Sequence, residues 1–133
     1  PEARVWVEVF STSRRTMEAR LVGMVALGGA VGAVLRVLIS EWMPDGFPYG
    51  TLAVNLAGSL LLGVIVGLSL SAEMGWLLGT GMMGAFTTMS AYSLDLVELF
   101  ESGQHGPAAA YLLATLIGCP LIAYAGLKAA QSV

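Results

Sequence analysis

Charged residues along this chain fall in clusters, and long apolar gaps separate them. Residues 21–35 carry no charge; Arg36 follows, and apolar residues then resume to Ile39. Further uncharged stretches run over 46–72, 74–94 and 106–127. About 20 residues of helix cross the hydrocarbon core of a bilayer, at about 1.5 Å per residue. The last three gaps reach that length, and the first reaches it if Arg36 is tolerated in the membrane. A spanning strand would alternate polar and apolar residues over about ten positions, and 60–70 shows no such alternation. Backbone groups in lipid must be satisfied within the segment or in a closed barrel. The pattern therefore predicts an all-α integral membrane protein with four transmembrane helices, joined by loops at 41–47, 71–75 and 101–107.

Composition agrees with that reading. Of the 133 residues, 56% are hydrophobic and 11% charged, and the mean hydropathy is +0.79. A soluble domain carries about a quarter charged residues, so most of this surface faces something other than water. The length suits one domain. With six basic residues and a net charge of −3, the chain lacks the clustered Lys and Arg that nucleic-acid binding requires. The single cysteine, Cys119, cannot form an internal disulfide or a thiolate metal site. No phosphate-cradling loop, paired carboxylates or nucleophile–base set is present, so catalysis is not expected.

Residues 1–20 differ from the rest, mixing Arg4, Arg14, Arg15 and Arg20 with Glu2, Glu8 and Glu18. The apolar run after them leads into Gly28, Gly29 and Arg36 without a cleavage pattern, so no cleaved signal is expected. Met17 is a candidate natural initiator, with an extension before it. Four crossings place both termini on one side. With the tail counted, Arg14, Arg15, Arg20 and Lys128 put that side in the cytoplasm. From Met17 onward only Arg20 and Lys128 remain, against Arg36, a bias weak enough for insertion both ways round.

Glycine marks the helix contacts. Gly28, Gly29 and Gly32 lie in the first span, Gly63 and Gly67 in the second, and Gly75, Gly79, Gly81 and Gly84 in the third. In membrane helices such residues let backbones approach closely, within a chain or between chains. With only four short helices, an oligomer is the better vessel for a pathway.

The densest polar run inside a span is Gly84-Ala85-Phe86-Thr87-Thr88-Met89-Ser90-Ala91-Tyr92-Ser93. Hydroxyls compete for backbone partners and glycine relaxes the chain. One reading is a discontinuous helix whose freed carbonyls hold an ion; the other is an intact helix with hydroxyls bonded to their own turn. Asn55, with Thr51 one turn before it on the same face, offers N–H donors to an anion or a bond between helices. Arg36 either draws an anion toward a vestibule or extends to the interface. On the fourth span, Tyr111, Thr115 and Cys119 recur every four residues, as a polar track or as plain packing. Asp95 sits shallowly at the end of the third span, Glu98 and Glu101 suit a solvated helix end, and His105 suits a loop.

Three of these motifs resemble the Fluc (CrcB) fluoride channels: Gly28-Gly29-Ala30-Val31-Gly32-Ala33-Val34-Leu35-Arg36, the 50–59 segment around Asn55, and 84–93. The resemblance covers about 21–128, which it makes a four-helix channel domain between the extension at 1–20 and a tail at 129–133. It implies an antiparallel, dual-topology homodimer in the cell's inner (plasma) membrane, with the third helix broken mid-membrane. It also implies a structural sodium ion on the backbone carbonyls of Gly84 and Thr87. A fluoride pathway would run past Asn55, Ser90, Tyr111 and Thr115, with Arg36 and Thr51 nearby. The family's box usually reads Thr-Thr-Phe-Ser-Thr-Phe-Ser, and its phenylalanine edges meet fluoride with partial positive charge. Met89 and Tyr92 stand at those two positions here and Ala91 replaces the intervening threonine, while Asp95 is a shorter version of the acid that follows. The implied function is passive export of fluoride that relieves its toxicity. The rival is a small multidrug-resistance type proton-coupled antiporter, which needs a carboxylate deep in the first span; residues 21–35 have none.

Overall fold

The computed structural model describes residues 19–132, so Arg4, Arg14, Arg15 and Met17, and the expectations attached to them, lie outside the described residues. Every regular element within that range is helical. Helix α1 spans Ala19–Glu41 and ends just before Met43-Pro44, where proline disfavours helix for the preceding residue. Helix α2 spans Tyr49–Gly67 and starts directly after Pro48, whose missing N–H is harmless at a helix start. Past α2 the chain reverses through Ser69, whose φ of 49° lies in the left-handed region.

The expected loop at 71–75 sits earlier than its sequence suggests. Ser71 already caps the next element, its hydroxyl accepting from the Met74 N–H at 3.4 Å. The short helix α3, Ala72–Met74, then runs without a break into a π-helical stretch, Gly75–Met83. Helix α4, Gly84–Phe86, adds one turn, and α5 spans Met89–Glu101. The chain turns at 102–104, where Gly103 takes φ 77°. Helix α6, His105–Leu113, leads through π-helical Ala114–Gly118 into α7, Cys119–Gln131. Pro120 explains the second π-helical stretch: it brings no N–H to the ladder, and the preceding turn widens around the gap. His105, expected in a loop, opens α6, and helix continues past Lys128 into the segment assigned to the tail.

Among the described residues, three helical segments are long and apolar enough to cross a membrane: Ala19–Glu41, Tyr49–Gly67 and His105–Gln131, with mean hydropathies of 2.1, 1.8 and 1.8. Segment 72–101 is divided near its middle, and neither part alone has the length to cross.

Packing follows the glycines. A Cβ on Gly28 or Gly32 would overlap the carbonyl oxygens of Leu77 or Met82, so α1 lies against the π-helical stretch at backbone distance. Helices α2 and α7 pack in the same manner. The core divides into two clusters. Val54, Met83 and Phe86 form one, and Tyr92, Leu99, Ala108 and Tyr111 the other. The outside is apolar, with Leu27 64%, Val34 58% and Leu121 64% exposed, as expected of a surface that meets lipid.

Candidate ion pathway

The residues singled out by sequence gather where the third segment loses its helix. Thr87 (φ −81°, ψ 157°) and Thr88 (φ −150°, ψ 115°) are extended. Local chemistry accounts for both sides of the interruption. Before it, the Thr87 hydroxyl donates back to the Met83 carbonyl at 3.1 Å, beside the Thr87 N–H on the same oxygen. After it, the Thr88 hydroxyl accepts from the Ala91 N–H at 3.2 Å and so caps α5, the task threonine performs well at a helix start. Ser90 pairs its hydroxyl with that of Thr88 at 3.1 Å.

Two side chains from neighbouring helices hold this region. Asn55, buried in α2, spans the backbone of Thr88: its Oδ1 accepts from the Thr88 N–H at 2.7 Å, and its Nδ2 donates to the Thr88 carbonyl at 3.1 Å. Each of those backbone groups would cost about 1–3 kcal/mol if buried unpaired. Arg36 reaches across from α1, donating through Nε to the Ala85 carbonyl at 3.2 Å. Its charge therefore meets the C-terminal end of α4, where a cation is favoured. Neither sequence reading of Arg36 anticipated this contact with the backbone.

A second group lies below the first. The Tyr111 hydroxyl donates to Asp95 Oδ2 at 2.9 Å, and the Thr51 side chain neighbours the same hydroxyl. The Tyr92 ring stands 5.0 Å from that of Tyr111, and Phe47 meets Tyr111 edge-on at 5.6 Å. Tyr92 and Thr115 are 5% and 7% exposed, and among the described residues neither hydroxyl has a hydrogen-bond partner. Buried hydroxyls are ordinarily paired. These two hydroxyls therefore stand out among the buried polar groups of the described residues.

The remaining candidates face outward. Gly84 and Ser90 are exposed, Thr87 is half-buried, and Met89 is 64% exposed. The usual helical partner of the Gly84 carbonyl, the Thr88 N–H, is taken by Asn55.

The CrcB profile, described as "CrcB-like protein, Camphor Resistance (CrcB)", matches residues 23–127. The chain belongs to the CrcB family. Among its relatives, the fluoride-specific ion channel FluC of Agrobacterium fabrum is 43% identical over 121 residues, covering 84% of this chain and 97% of that protein. The FluC of Chelativorans sp. is 44% identical over 119 residues, covering 83% and 95%. That of Anaeromyxobacter sp. is 45% identical over 117 residues, covering 80% and 91%. The CrcB match begins after the N-terminal stretch and ends one residue before Lys128. It includes every candidate residue named above.

Within this CrcB chain, the contacts of two participants were not given by the sequence. Thr88 was one hydroxyl among several, although a threonine three residues before Ala91 at the start of an apolar helix is a capping signal. Asp95 was visible, but its bond to Tyr111 joins positions across a turn and has no local mark. No group of three or more His, Cys, Asp or Glu that could hold a metal occurs among the described residues. A cation at this site would therefore have to rely on main-chain and hydroxyl oxygens.

Proposed function

We propose that this chain forms a fluoride-selective channel that lets the ion leave the cytoplasm passively and so relieves its toxicity. Membership of the CrcB family carries the proposal, because the relatives named above are fluoride-specific ion channels that this chain matches over nearly their whole length. Fluoride is small and tightly hydrated, so a pathway must replace its water with donors. The unpaired hydroxyls of Tyr92 and Thr115 support such a role, as does the second Nδ2 hydrogen of Asn55. The hydroxyls of Ser90 and Thr51 and the ring edges of Tyr92 and Tyr111 extend the file. Conduction needs several weak sites instead of one deep one, and a file of single donors meets that need.

In this proposal the two parts of 72–101 together make the fourth crossing, with Thr87 and Thr88 near the middle of the plasma membrane. Two copies associate in opposite orientations through the face bearing Gly84 and Met89. The carbonyls of Gly84 and Thr87 suit a hard cation such as sodium. Two oxygens per chain fall short of a full shell, and a second copy supplies two more. When bound, sodium would supply fixed positive charge that joins the paired interruptions; it would not travel. Arg36 holds the end of α4 in place from the vestibule side.

The test is fluoride efflux from liposomes containing only this protein. Efflux in proportion to protein content supports the reading. Proton-coupled uptake of a drug cation without fluoride efflux would replace it with the antiporter.

A further inference from the structure

We infer that Asn55 is a positioning residue that creates the main-chain cation site by intercepting the Thr88 N–H. In a continuing helix that N–H would close on the Gly84 carbonyl. Here it donates to Asn55 Oδ1 at 2.7 Å, while Asn55 Nδ2 holds the Thr88 carbonyl at 3.1 Å. Both partners are buried, Asn55 at 6% and Thr88 at 8% exposure. The carboxamide thus substitutes for one turn of helix at Thr88 and leaves the carbonyl of the exposed Gly84 without that N–H. Asparagine suits this position because it offers a donor and an acceptor side by side. Leucine has a similar volume and neither group. Gly58 is part of the arrangement: a Cβ there would run into Thr87 Cγ2, so α2 lies close enough for the short Asn55 side chain to reach the backbone.

Asn55 therefore acts on the cation through Thr88 and Gly84 without touching it, a role separate from the donor its second Nδ2 hydrogen offers to fluoride. The inference rests on the proposed sodium site, and its test separates the two. The measurement is the sodium dependence of thermal unfolding of the purified protein in detergent, with N-methylglucamine replacing sodium at constant ionic strength. The wild type is expected to melt several degrees higher in sodium. Asn55→Leu and Asn55→Ala, each confirmed by gel filtration to elute as the wild type does, are expected to lose that increment. A wild type with no sodium increment would overturn the cation site itself. A normal increment in the wild type, kept in full by either variant, would overturn the role of Asn55 and leave the cation site standing. Should both variants fail to fold, amide hydrogen exchange on the wild type decides. Protection of the Thr88 N–H equal to that of its helical neighbours is expected, and rapid exchange there overturns the inference.

Discussion

Single side chains in this protein act on backbone as much as on any ion. Asn55 and Arg36 both direct their polar groups at main-chain atoms of the third segment, whereas Tyr92 and Thr115 keep theirs unpaired. Thr115→Val retains shape and removes one unpaired donor. A loss of about 1.4 kcal/mol in anion stabilisation corresponds to tenfold, so fluoride flux is expected to fall by about that factor with little change in melting temperature. Unchanged flux in the folded variant would remove Thr115 from the pathway. At Met89 the expectation is the reverse. Phenylalanine would supply the electropositive ring edge that methionine lacks, so Met89→Phe is expected to preserve or raise fluoride flux. A clear loss would show that the local environment of Met89 differs from that of the family's aromatic box.

Among elements, the interrupted segment is where a substitution in a neighbour is expected to cost both stability and flux. Gly58 touches it from α2, and Gly58→Ala would drive a methyl group against Thr87 and Phe86. Overpacking of this kind costs about 1–3 kcal/mol. It would also displace Asn55 from Thr88, so loss of stability and of flux together is expected in melting and liposome assays. The helical segments at Ala19–Glu41, Tyr49–Gly67 and His105–Gln131 were legible in the sequence, because hydropathy and length alone identify a span. The close contacts of Gly28, Gly32, Gly63, Gly67 and Gly81 were legible for a similar reason, since small residues in lipid serve backbone approach, whereas a Cβ on Gly75 would meet nothing within 4 Å and Gly58 and Gly126 were not singled out. For Asn55 the sequence left two uses open, donors to an anion or a bond between helices; the structure shows the second, and its partner, the Thr88 backbone, carried no sequence mark. The π-helical geometry of Gly75–Met83 also lay beyond sequence, because no proline marks it. Near Pro120 a missing N–H gave a local cause, and there a widened turn could have been read in advance.

At the scale of the whole molecule, the described chain exposes part of its own site. Gly84, Met89 and Ser90 face outward beside the half-buried Thr87, which a second copy would cover. Site-directed cross-linking through Met89→Cys, in a Cys119→Ser background, is expected to give a covalent species of twice the 13.8 kDa chain mass. Absence of that species at every cross-linker length would argue against the proposed pairing face. Passage of fluoride is tested most directly by the reversal potential of the purified protein in a planar bilayer with fluoride on one side and chloride on the other. A reversal potential set by the fluoride gradient alone is the predicted result. A current that reverses near zero, or no current at all from folded protein, would contradict the account.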